Sequence, residues 1–127
     1  VKLSYRDALD GPQPLGGYSQ AATAEGVRRI VHISGQIPVD ADGRTPAAFD
    51  EQCRLVWRNV ERQLRSCDMN LDNLVKVTTY LSDRRWGEVN GAVRREFLGD
   101  RRPALTVVIA GIFDEQWLLE IEAVAAD

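Results

Sequence analysis

The residues whose type and spacing first invite a chemical reading are Glu120 and Glu122, the lone histidine His32, and the cysteines Cys53 and Cys67. Glu120 and Glu122 stand two apart in an alternating stretch, which puts both carboxylates on one face of a strand. A carboxylate within hydrogen-bond reach of a water can orient it for hydrolysis; the plainer alternative is a polar network at a subunit interface. His32 has the residue type of a general base, but it alternates with Ile30 and Ser34 in a strand, which favours a structural histidine. Cys53 and Cys67 fall fourteen positions apart in one predicted helix. Their Cα atoms would lie about 20 Å apart, and a disulfide needs about 7 Å, so they cannot bridge. With a single histidine, no cluster has metal-ligand spacing. No metal site is expected.

Four basic doublets, Arg28-Arg29, Arg84-Arg85, Arg94-Arg95 and Arg101-Arg102, raise the question of nucleic acid. The formal net charge is −3, and no aromatic stacking motif accompanies them, so they read as solvated surface. Gly16-Gly17 precedes a strand and not a helix, so it is not a phosphate-cradling loop. The 127 residues suffice for one domain, 1–127, with one core. No apolar run is long enough to span a membrane, and Val1 to Asp10 does not read as a signal peptide. A soluble, cytoplasmic protein is the expectation.

The elements that must position these residues alternate between strand and helix. Tyr18 to Ala24 reads as a strand entered through Pro12, Pro14 and the glycine pair. Arg29 to Gly35 is a second strand, and Asp40-Ala41-Asp42-Gly43 is a turn by its own chemistry. Phe49, Cys53, Val56, Val60, Leu64 and Cys67 recur at three and four residues and predict an amphipathic helix running toward Asn70. Val75 to Leu81 alternates as a strand. Trp86, Val89, Val93 and Phe97 predict a second helix, capped by Asp83 and ended by Gly99. Leu105 to Ile109 and Leu118 to Val124 close the chain. The order β-β-α-β-α-β-β is an α+β layer of one sheet covered by two helices. Apolar residues on both faces of the Leu105 strand lead us to expect burial in an oligomer.

Six stretches in register resemble the RidA (YjgF-type) reactive-intermediate deaminase family. They are Gly17-Tyr18-Ser19-Gln20-Ala21, Ser34-Gly35-Gln36-Ile37-Pro38, Glu51-Gln52 with Asn59-Val60, Val75 to Leu81, Arg102-Pro103-Ala104, and Glu120-Ile121-Glu122-Ala123. The resemblance implies a chorismate-mutase-like fold assembled as a homotrimer, with a central barrel and clefts between neighbouring subunits. It implies hydrolysis of imines and enamines there, releasing ammonia without metal or cofactor. It matches Glu120 to the residue that positions water, Tyr18 to a cleft tyrosine given by the neighbouring subunit, and Ser34 and Gly35 to the cleft's Ser-Gly.

One departure carries consequences. Deaminating members of the family have an arginine after the Pro-Ala, gripping the substrate carboxylate with its planar fork; here that position is Leu105. The family's frequent cysteine two residues on is Val107. The resemblance therefore implies small-molecule clefts whose ordinary carboxylate anchor is missing. Three outcomes follow: an imine or enamine hydrolase for substrates lacking that carboxylate, a non-catalytic small-molecule-binding or partner-regulating trimer, or a conventional deaminase in which Arg101 or Arg102 replaces the anchor.

Overall fold

The computed structural model describes residues 1–127. The first helix, α1 (Phe49–Ser66), forms where the apolar period demands it, burying Phe49, Cys53, Val56, Trp57, Val60 and Leu64. It stops earlier than Asn70 because Asp68 takes a left-handed backbone, φ 58°. The second helix, α2 (Gly87–Leu98), follows a short 3₁₀ turn whose Asp83 carboxylate accepts a hydrogen bond from Arg85 N–H at 2.9 Å. Gly99 ends α2 with φ 57°.

The strands are β1 (Lys2–Arg6), β2 (Ala21–Glu25), β3 (Ile30–Gln36), β4 (Leu74–Leu81), β5 (Ala104–Ile109) and β6 (Leu119–Ala126). The main sheet has the order β3-β6-β4-β5. β4 runs parallel to β5, with α2 as the crossover between them, and antiparallel to β6. Both helices lie on one face, where Trp86 stacks on Phe49 with ring centroids 4.8 Å apart and Trp57 stacks on Phe97 at 6.0 Å. Val77 and Leu81 of β4, Leu119, Ile121, Ala123 and Ala125 of β6, and Ile33 of β3 complete that core. The α+β class and the two-helix cover agree with the expectation.

Three features differ from it. The N-terminal segment, assigned to no element from the sequence, is β1, paired antiparallel with β2 as a hairpin. It is held because Tyr5 Oη donates to the Leu74 carbonyl at 3.1 Å. The order is therefore β-β-β-α-β-α-β-β. Tyr18, Ser19 and Gln20 precede β2 instead of opening it. Ser19, buried, donates its N–H to the Pro103 carbonyl and its hydroxyl to the Arg102 carbonyl, stitching the hairpin to the start of β5.

The second difference is in α2, where Val89 is exposed and the buried side consists of Asn90, Gly91, Val93, Arg94 and Leu98. The third concerns the sheet's open face. It carries Lys76, Thr78 and Tyr80 beside Glu120 and Glu122, with His32 and Ser34 on the next strand. That face is mostly polar. Apolar exposure concentrates on the edge strand β5, where Val107, Val108 and Ile109 are exposed at 43%, 39% and 39%.

Candidate functional site

The structure sorts the candidate residues into two groups on opposite faces of the sheet. Thr79, buried against the helices, pairs with Val107, and Val77 pairs with Leu105, so Leu105 and Val107 face the helix side. Tyr80 pairs with Glu120, so Glu120 faces the open side.

On the open face, the β3–β6 register shifts between Ile33 and Gln36, and Ser34-Gly35 sit in that irregularity. Gly35 has no Cβ for a reason visible in space. A Cβ built there would overlap Glu120 Oε2 and lie 2.7 Å from Glu120 Cδ. The carboxylate occupies the volume that any other residue would fill. Glu122 is engaged differently: Tyr80 Oη donates to Glu122 Oε1 at 2.8 Å. That hydrogen bond, then burial, then the charges of Glu122 and Glu120 push the Tyr80 phenol above its ordinary range. The two glutamates thus divide, with Glu122 tied to a tyrosine and Glu120 laid over Gly35. His32 and Ser34 are exposed and line a cavity of about 310 Å³ with Lys76, Thr78 and Glu122. His32 is therefore a surface group of this face and packs into no core.

On the helix side, Tyr18, Leu105 and Val107 line a groove of about 340 Å³ with Gln20, Arg94 and Arg95. Leu105 leans on the core and is half-buried. The Tyr18 hydroxyl accepts a hydrogen bond from the Leu15 N–H at 3.3 Å, which leaves its own proton free to donate. The expectation that a neighbouring subunit supplies Tyr18 takes a specific form. Tyr18 shares a groove with Leu105 and Val107 of its own chain and lies apart from Ser34, Gly35 and Glu120.

Arg101 and Arg102 are both engaged away from the groove within the chain. Arg101 Nε is paired with Asp72 at 2.6 Å, and Arg102 Nη2 with Asp7 at 2.6 Å, and neither lines the groove. Two contributors escape the sequence reading. Gln52, fully buried, donates to the Pro46 and Gln116 carbonyls at 2.8 and 2.9 Å and accepts from Leu118 N–H at 2.9 Å. It clamps the loop that leads into β6 and so sets the position of Glu120. The other is Arg94, read as solvated surface but 8% exposed in the groove wall; an arginine on the core side of a helical period is the signal that marks it. Cys53 is fully buried, and burial pushes its thiol up to about 12, which makes it inert as a nucleophile. No helix is long and apolar enough to cross a membrane.

Comparison with known proteins bears on this geometry. A family model described as Endoribonuclease L-PSP matches residues 8–127. A RutC family protein of Pyrococcus horikoshii is 33% identical over 118 residues, 91% of each chain. A mitochondrial protein of Schizosaccharomyces pombe is 34% identical over 115 residues, covering 88% of this chain and 89% of that one. A crystal structure from Yersinia pestis, of a protein of unknown function in the conserved Rid family, superposes over 100% of both chains. Its TM-score is 0.85 at 19% identity, a likeness of fold.

Proposed function

The chain belongs to the RidA (YjgF-type) family, and from that premise we propose that it is a cofactor-independent hydrolase of imine or enamine intermediates. It works as a homotrimer, in which neighbouring subunits bring the open-face group of one chain against the groove of the next. The observation that supports this reading is the Glu120 carboxylate laid over the Cβ-less Gly35, while Glu122 is held by Tyr80. Glu120 accepts a proton from a water as its oxygen bonds to the imine carbon. The proton passes to nitrogen and leaves a carbinolamine; Glu120 then carries the carbinolamine's hydroxyl proton to the same nitrogen as the carbon–nitrogen bond breaks, so that ammonia leaves a carbonyl product. Tyr18, with a free hydroxyl proton, donates to the substrate across the subunit boundary. The same reading places the protein in the cytoplasm. Its net charge of −3 does not favour RNA as the substrate.

Leu105 sets the substrate range. An enclosed carboxylate without a charged partner costs several kcal/mol, and a lost charge-assisted pair is worth about 2–5 kcal/mol, roughly 30- to several-thousand-fold. The unmodified protein is therefore slow on simple 2-imino acids, whose carboxylate the position-105 arginine would hold. The test couples an amino-acid oxidase to imine decay and runs beside sedimentation at micromolar protein. A trimer is expected, with slow turnover that rises in Leu105→Arg and falls again when Glu120→Ala is added. A stable monomer removes the joint site and the proposal with it. A correctly assembled Leu105→Arg trimer that gains nothing favours a non-catalytic binding or partner-regulating trimer, the reading that the apolar groove wall supports.

A further inference from the structure

The groove beside Leu105 holds two guanidinium groups that nothing in the chain neutralises. Arg94 is 8% exposed, and its Nε is enclosed without a hydrogen-bond partner. Arg95 lines the same groove from the next position. The ion pairs of the chain use Arg28, Arg29, Arg54, Arg101 and Arg102, and neither of these two. Glycines make the room for them. A Cβ at Gly91, one turn earlier on α2, would lie 3.3 Å from Arg95 Nη1 and 3.9 Å from Arg94 Nη2, so both head groups converge over one missing side chain. Across the groove, the position of a Cβ on Gly17, φ +73°, is 3.5 Å from Arg95 Cγ.

An enclosed and unpaired cation beside a second cation is an expensive arrangement for folding alone. Burial, and then the charge of Arg95, pull the Arg94 guanidinium below its ordinary value. Arginine still stays protonated at neutral pH, so the charge remains and has no counter-charge within the chain.

We propose that Arg94 and Arg95 form an anion site for a small-molecule carboxylate carried on an apolar body, held from α2 in a groove where position 105 has no charge. This deepens the hydrolase reading and rests on the groove being its substrate-binding half: a carboxylate anchored on α2 stands away from the place where an arginine at position 105 would hold it, so the site selects longer carboxylates and leaves simple 2-imino acids slow. The carboxylate takes the unused donors of Arg94 and the free head group of Arg95, in the planar geometry that guanidinium favours. The apolar body packs on Leu105 and Val107, and the Tyr18 hydroxyl donates at the rim. Leucine at 105 is then a packing wall for the ligand as well as the loss of an anchor.

The experiment titrates the full chain, in its native assembly, with phenylacetate and with its neutral counterpart 2-phenylethanol. Calorimetry and thermal melting are the readouts. Saturable phenylacetate binding that raises the melting temperature is expected, with little response to the alcohol. Arg94→Met and Arg95→Gln should each weaken it by about tenfold or more, the scale of a lost charge-assisted hydrogen bond. Without ligand, Arg94→Met should keep or raise the melting temperature, because an apolar chain of similar length removes an unpaired buried charge. The proposal is overturned if both variants bind phenylacetate like the parent, or if the alcohol binds as well as the acid. It is equally overturned if Arg94→Met breaks up the assembly, since Arg94 would then be a subunit contact. No turnover enters these readouts, so absent hydrolysis leaves the anion site standing, and absent binding leaves the Glu120 chemistry to its own test.

Discussion

Replacing Gly35 by alanine should silence Glu120 while leaving the protein folded. Gly35 does not adopt a positive φ, so its backbone conformation is open to an L-residue. The nearest obstacle is the Glu120 side chain. The new methyl carbon would stand 2.7 Å from Glu120 Cδ and 3.0 Å from Cγ, whereas carbon atoms settle about 3.5–4.0 Å apart. Cδ must withdraw by about 1 Å and the overlapping Oε2 by about 1.5 Å, and they can, because they are the end of a flexible side chain on the open face. Moving it off its preferred rotamer costs about 0.5–1.5 kcal/mol. Alanine recovers about 0.4–1 kcal/mol by restricting the unfolded chain. The net effect on stability should stay within about 1 kcal/mol, a melting-temperature shift of only a few degrees.

Activity responds on another scale. A misplacement of about 1 Å in a reacting group costs on the order of 100-fold, and a positioned general base contributes about 100- to 10,000-fold. In the Leu105→Arg background, Gly35→Ala should approach the loss seen in Glu120→Gln, with an unchanged circular dichroism spectrum and sedimentation coefficient. Gly35→Ala turning over like its parent while Glu120→Gln is inactive would refute the crowding argument. A Gly35→Ala chain that unfolds would refute the claim that only a side-chain end stands in the way.

Gln52→Leu, near in volume, should destabilise the fold by about 2–4 kcal/mol in denaturant titration, since it strands two carbonyls and one N–H around a buried site; a loss below about 1 kcal/mol would show that water replaces the clamp. Acid should weaken the fold through three carboxylates held below their ordinary range: Asp40 by backbone N–H donation from Arg44 and then Asp42, Glu96 by Arg54, and Asp127 by Arg29. Their lowered values mean that the unfolded chain binds protons first, so their contribution is complete above about pH 5 and is lost as pH falls through the ordinary and then the lowered values. A flat stability profile from about pH 5 down to about pH 2 would contradict those assignments.

The parts of the fold that the sequence discloses are those in which a single period decides. The stripe from Phe49 to Leu64 gives α1 because three- and four-residue spacing has one structural solution, and the alternation from Val75 to Leu81 gives β4 for the same reason. β1 escapes because a five-residue strand on the rim needs only a hairpin partner and one anchor, the Tyr5 hydroxyl on Leu74. The buried side of α2 escapes because a charged residue inside a helical stripe reads as an interruption. Arg94 belongs to that side, which apolar counting assigns to Val89 instead. Gln52 stands among the residues that carry the family resemblance, yet its role as a clamp depends on loop carbonyls up to 64 positions away.

The partition of the site into two groups is a matter of parity in the sheet. Leu105 stands opposite Val77, and Glu120 stands opposite Tyr80, on the same central strand β4. Val77 and Tyr80 are three residues apart, an odd number, and side chains at odd separations on a strand project to opposite faces. No rotamer carries a leucine or a glutamate through a hydrogen-bonded sheet. A ligand touching both positions must therefore touch two copies of the chain, with the edge strand β5 of one approaching the open face of the other. The exposed Val107, Val108 and Ile109 lie on that edge, where apolar burial would drive the approach. On the trimer proposal, assembly and chemistry are one requirement: Val108→Lys, on the exposed apolar edge, should give monomers in sedimentation and lose turnover together, and a trimer that keeps its turnover would refute the link.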